Sequence, residues 1–151
     1  DIEVVFSADS SLAYADCFGD YYSTGLYMWG FYFMEFTAKV QLYIEVMCQS
    51  NELEIPTGVF SATDDKLSDG ALLIGCVEED VDGLYDAYSW YTQLATESQE
   101  AATAPIVDGV MKISYDEASD TYSVTLDLKD DADNSITAHY EHRIILEDFR
   151  M

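Results

Sequence analysis

Positive charge is what this sequence has least of. Lys and Arg total 6 against 30 Asp and Glu in 151 residues, for a formal net charge of −24. A field of that sign repels phosphate, which excludes a nucleic-acid binder, and it argues equally against electrostatic docking on anionic lipid. Long apolar runs are also missing. The longest nearly uncharged stretch, Leu26 to Met34, is about half of what a spanning helix needs, so no transmembrane helix is expected. Cysteine is limited to Cys17, Cys48 and Cys76. An odd number cannot complete a disulfide framework within one chain, and no pair has C-x-x-C spacing, which removes zinc-ribbon and thioredoxin-type sites. The three read as buried thiols or as one disulfide plus one free thiol. No H-E-x-x-H, G-x-S-x-G, G-x-x-x-x-G-K-[ST] or G-x-G-x-x-G occurs. A glycosidase's pair of facing carboxylates leaves no sequence signature among so many acids. The chain is therefore read as non-catalytic, with no metal and no cofactor.

What is present is a core. At 49% hydrophobic and 14% aromatic the chain is globular despite its charge, and its length suits one domain, residues 1–151. Helical periodicity is absent. Short β-branched and aromatic runs recur between turn clusters, which predicts an all-β barrel or sandwich. Strands are expected at Ile2–Ala8, Leu12–Phe18, Gly25–Phe36, Lys39–Cys48, Gly58–Ala62, Ala71–Val77, Ala87–Leu94, Ile106–Tyr115, Thr121–Lys129 and Ser135–Ile145. The last three form an antiparallel meander joined by two acidic turn-forming loops, 116–120 and 130–134. Val107, Gly109, Met111, Ile113 and Tyr115 share one expected face, and Tyr122, Val124, Leu126 and Leu128 share the next. Residues 96–104 read as a short helix or a long loop.

Two aromatic clusters are the candidate binding features. Leu26 to Met34 is apolar on both faces, so something covers both. It reads as a central strand between core and loop, as an aromatic wall lining a pocket, or as a dimer interface. Tyr85, Tyr88, Trp90 and Tyr91 read as barrel rim or as a binding platform. The expected ligand contacts are Tyr27, Trp29, Phe31, Trp90 and Tyr91. The acidic run Glu78-Glu79-Asp80-Val81-Asp82-Gly83 departs from the EF-hand pattern and reads as a solvated loop rather than a calcium site. His139 and His142 stand three apart, which sends them to opposite faces of a strand and prevents joint chelation.

A family resemblance joins these elements. Ala13-Tyr14-Ala15-Asp16-Cys17-Phe18-Gly19-Asp20-Tyr21-Tyr22 resembles the first strand and turn of small exported β domains common among lipoproteins of Bacteroides-type bacteria. Leu53-Glu54-Ile55-Pro56-Thr57-Gly58-Val59-Phe60 resembles their Pro-x-Gly-aromatic turn. Ile106 to Ile113, Thr121 to Leu128 and Asp130 to Tyr140 resemble their closing strands, with Asn134 where Gly is usual. The resemblance spans Ala13 to Ile144. It implies an antiparallel, up-and-down, lipocalin-like barrel of about 8–10 strands, with a two-sheet β-sandwich as the alternative. It also implies export to the periplasm or cell surface, with a lipid anchor in a longer form. The chain opens strand-like at Asp1 without Met, as a processed chain does. The expected partner is a glycan or small amphipathic molecule. The alternative is a structural or protein-interaction domain of a cell-surface lipoprotein, with a filled core and a surface protein as its partner.

Overall fold

The structure, a computed structural model, describes residues 1–49 and 53–150; Met151, the expected domain end, lies outside them. It is all-β, with no helix among the described residues. The described residues form the strands β1 (Ile2–Phe6), β2 (Ser11–Gly19), β3 (Tyr27–Glu35), β4 (Val40–Cys48), β5 (Gly58–Thr63), β6 (Ala71–Leu73), β7 (Cys76–Asp80), β8 (Gly83–Ala87), β9 (Trp90–Gln93), β10 (Ala102–Asp116), β11 (Thr121–Asp130), β12 (Ser135–His142) and β13 (Ile145–Asp148).

Closure comes from one short strand. β9 pairs with Val40–Tyr43 of β4 on one side and with Ala102–Pro105 of β10 on the other. β6 and β5 bridge the far halves of the same two strands, so β4-β6-β5-β10-β9 form a closed five-stranded ring. The sheet runs on from β4 through β3 and β2 to β13, and from β10 through β11 and β12 to β1. These two wings pack face to face: Phe6 and Tyr140 of one lie 6.0 and 5.6 Å from Phe33 of the other, ring centre to ring centre. The barrel is thus smaller than the expected 8–10 strands, and its order is not a plain up-and-down meander. β1 lies parallel to β12, β13 parallel to β2, and β5 parallel to β6.

The alternation of each strand fills the space between the wings. Ala13, Ala15 and Cys17, Trp29, Phe31 and Phe33, Leu42, Ile44 and Val46, Val124, Leu126 and Leu128, and Ile136, Ala138 and Tyr140 all turn into one core. Small residues on β2 face large rings on β3, the complementarity that close packing requires. The outer side of β3 and β4 carries a second, smaller apolar cluster. Met28, Met47, Ala71 and Leu73 are buried there with Phe18, Tyr22, Leu26 and Tyr88 packed against them. The aromatic strand is covered on both faces, as its sequence requires.

Several expected boundaries move for identifiable reasons. The run Ala71–Val77 breaks at Ile74-Gly75, where the Gly75 N–H donates to Ile106 O and the chain leaves the sheet. Beyond the break the acidic segment is not a loop: Glu78 to Asp80 lie in β7, which pairs with β8 in a two-stranded hairpin. A bulge between Ile106 and Asp108 swaps faces in β10, so Ile106 enters the core while Val107 turns outward. Gly109 follows at φ +124, and a Cβ there would lie 2.3 Å from Asp127 O. Residues 94–101 are irregular, and Ala102 already belongs to β10. The last strand ends at His142, and β13 is a separate element. All three cysteines are free thiols, two buried and Cys76 exposed.

Candidate functional site

The five expected contact residues do not share a surface. Trp29 and Phe31 are 0% exposed and Tyr91 is 6% exposed, all three in the main core. Odd-numbered positions of β3 face the opposite wing, so these side chains touch protein and not solvent. Trp90 points to the other face, half-buried, with its indole N–H donating to Ala87 O at 2.8 Å. Tyr27, at the mouth of β3, is the one of the five that lines a surface groove. The expectation that all five contact a ligand is corrected for Trp29, Phe31 and Tyr91, which are core side chains.

That groove has a volume of about 980 Å³ and is lined by Phe18, Gly19, Asp20, Tyr21, Tyr27, Asp148, Phe149 and Arg150. β2, its following turn, the start of β3 and the end of β13 meet there. Phe149 stacks on Phe18 at 5.4 Å with 16° between the ring planes, and Tyr21 meets Phe18 edge-on at 6.1 Å. The Phe149 N–H donates to Cys17 O, which continues the β13–β2 pairing and seats the ring. Asp20 shapes the loop by accepting from the N–H groups of Thr24 and Gly25. Arg150 donates three hydrogen bonds to Asp148, from its backbone N–H and Nε at 3.0 Å and from Nη2 at 3.3 Å. A Cβ at residue 19 would lie a tight 3.2 Å from the Arg150 stem, and the backbone there has φ +66, so glycine suits the position twice over. The result is a half-open trough with aromatic faces and a fixed guanidinium–carboxylate pair on its wall.

Behind the groove, the outer face of β2, β3 and β4 carries a buried polar row. Register places Glu147 beside Asp16, Asp16 beside Gly30, and Gly30 beside Glu45. Glu45 accepts from Tyr43 Oη at 2.9 Å and from Tyr22 Oη at 3.0 Å, and its N–H donates to Ser89 Oγ. Burial raises its carboxyl above the ordinary range, against the pull of these two hydroxyls and of Lys66. Lys66 lies over the rings of Tyr88 and Tyr22, 4.5 and 5.1 Å from their centres. Gly30 is needed here because a Cβ would sit 2.7 Å from Tyr43 Oη. Tyr43 in turn packs on Tyr32 at 4.4 Å. Asp16 is 6% exposed, and its Oδ1 receives no hydrogen bond. Burial raises it to about 7, with a side-chain hydrogen bond to Glu147 and that group's charge adding to the shift.

Of the groove residues, sequence reasoning named Tyr27 alone. Phe149 and Arg150 lay beyond the last expected strand, and Tyr21 sat in an expected turn. A usable signal did exist for the polar row: Asp16 and Glu45 are single acids within otherwise apolar strands. His139 and His142 project to opposite sides, exposed and half-buried. No group of three or more His, Cys, Asp or Glu suited to a metal occurs among the described residues.

Comparison with family models, curated proteins and solved structures finds no match to this chain.

Proposed function

We propose that this is an exported, non-catalytic β domain that binds a neutral glycan in the groove bounded by Phe18, Tyr21, Tyr27 and Phe149. The observation that carries the reading is the company those rings keep. Aromatic faces stack on the C–H faces of sugar rings, while the Arg150–Asp148 pair and the Tyr21 and Tyr27 hydroxyls offer donors and acceptors to sugar hydroxyls. A net charge of −24 disfavours anionic glycans and leaves uncharged ones as the fitting class. Core rings at 0% exposure leave little room for a lipocalin-type ligand inside the barrel, which supports a surface groove as the site.

The test is a broad glycan array followed by calorimetry on the hits. Tyr21→Ala is expected to weaken binding roughly tenfold or more, the usual effect of removing an aromatic anchor. Retained affinity in Tyr21→Ala and Tyr27→Ala would move the site elsewhere.

A structural or protein-interaction domain of a cell-surface protein is the second reading. It is favoured by the β7–β8 hairpin, which stands apart from the main sheet with Val77, Val81 and Leu84 exposed among Glu78, Glu79, Asp80, Asp82 and Asp86. An array with no hits, together with a purified cell-surface protein whose binding is lost on Leu84→Ser, would favour it.

A further inference from the structure

We propose that the Asp16–Glu147 carboxyl pair is a proton-operated clamp that holds β13, and with it the Phe149–Arg150 wall of the groove, against β2. The functional consequence rests on the groove being the binding site; the clamp itself does not.

The geometry begins with register. β13 is a four-residue edge strand whose one strand partner is β2, and Glu147 sits directly across from Asp16. Partners in a parallel pair point to the same side, so the two carboxyls meet. Asp16 is buried, and its Oδ1 has no N–H or O–H donor. Among the described residues no Lys, Arg or His forms an ion pair with either acid. Arg150, the nearby cation, is engaged by Asp148. From β2 itself the same face carries Tyr14 and Phe18. From β3 it receives Gly30 and the Tyr32 phenol, which burial and the charges of Asp16 and Glu45 push above its ordinary value. Beyond Gly30 stands Glu45 on β4, another acid. No opposite charge is in place to stabilise two anions at this position.

Two carboxyls in contact with no cation hold together by sharing one proton: the Asp16 O–H donates to the Glu147 carboxylate. Loss of that proton to water turns an attraction into a repulsion. The sign follows from linkage. Asp16 titrates at about 7 with β13 docked and reverts toward the ordinary 3.8 when the strand lifts away and water reaches it. The docked form therefore binds more protons across that interval, so docking weakens as pH rises from about 4 to about 7 and levels off above. What lifts with β13 is the Phe149 ring, which is stacked on Phe18, and Arg150. An acidic medium keeps the trough formed and a neutral-to-alkaline one loosens one wall.

NMR on the whole chain tests this without any ligand. The ring-proton shifts of Phe149 report its stacking on Phe18, and amide exchange of residues 145–148, corrected for intrinsic pH dependence, reports strand docking. The expected result is a Phe149 shift that moves toward the unstacked value between pH 5 and pH 8, with corrected exchange at least about tenfold faster at the upper end, one pKa unit being a factor of ten. Asp16→Asn supplies an N–H to the Glu147 carboxylate at every pH, so the pH response should vanish with β13 docked. Glu147→Gln, at the more exposed partner, should reduce it, the part due to burial of Asp16 remaining, and serves if the first variant folds poorly. Docking that is equal at pH 5 and pH 8 in the native chain, or a pH response that survives undiminished in both variants, overturns the clamp. Such a failure leaves the groove reading standing. A working clamp with no oligosaccharide bound at pH 5.5 overturns the groove reading alone.

Discussion

At the scale of single residues, position on a strand decides which aromatic side chains are structural. Trp29 and Tyr27 are two apart on β3 and share a facing, yet one is enclosed by both wings and the other lies at the strand mouth. Trp29→Ala should therefore destabilise the fold by about 3–5 kcal/mol, the range for a large ring removed from a packed core, as read by urea denaturation. Tyr21→Ala should leave the denaturation midpoint almost unchanged, because Tyr21 is exposed. Gly30→Ala drives a methyl group into the Tyr43 ring, so Tyr43 must shift and its bond to Glu45 is strained or lost. A loss of about 1–3 kcal/mol is expected, the usual cost of overpacking. In a Tyr43→Phe background the cost should fall only in part, because the hydroxyl at 2.7 Å is gone but the ring carbon at 2.9 Å remains, and a double-mutant cycle measures this. None of these distinctions was legible from residue types, since the sequence pattern marks faces but not where along a strand the enclosure ends.

Among the elements, legibility followed local pattern. The meander β10–β11–β12 and the antiparallel run β2–β3–β4 were readable, because alternation and turn residues encode pairing between neighbours in sequence. The parallel pairs were not, because β1–β12 and β13–β2 join segments over 130 residues apart and no local signal specifies them. The bulge in β10 was hidden for another reason: one extra residue inverts the face pattern without changing composition. Its glycine makes it testable. Gly109→Ala meets Asp127 O and an unfavourable backbone angle together, and a loss of at least about 2 kcal/mol is expected on denaturation. The β7–β8 hairpin makes a contrasting prediction. A two-stranded ribbon outside the main sheet is marginal by itself, so its amides should exchange far faster than those of β3, β4 and β11, which should exchange near the global limit.

For the whole molecule, charge and pH act together. Asp16, at about 7, and Glu45, raised by burial, each contribute stability that falls as pH climbs from the unfolded carboxylate range toward their folded values. Glu35 and Asp130 run the other way. For each, burial raises the carboxyl, but hydrogen bonds outweigh it and hold it low: Thr37, Ser10 and Ala38 donate to Glu35, and the Asn134 N–H and side-chain amide and the Ala132 N–H donate to Asp130. Their contributions are present above the ordinary carboxylate range and lost as pH falls through it. The melting temperature should therefore peak at mildly acidic pH, between about 4.5 and 6, and Asp16→Asn should flatten the fall toward neutrality. Added salt should raise stability at pH 8 by screening a net charge of −24. Most of the acidic side chains are exposed, but Asp16, Glu45, Glu35 and Asp130 are buried and shape the response to pH.

The central claim is that the ligand lies in the groove and not in the core. Chemical-shift mapping at pH 5.5 with a panel of neutral hexose and pentose oligosaccharides tests it most directly. Saturable shifts are expected at Phe18, Tyr21, Tyr27 and Phe149 that are lost in Tyr21→Ala, with Trp29, Phe31 and Tyr91 unmoved. Binding that shifts Trp29, Phe31 and Tyr91 and spares the groove, or no binding across the panel, would contradict it.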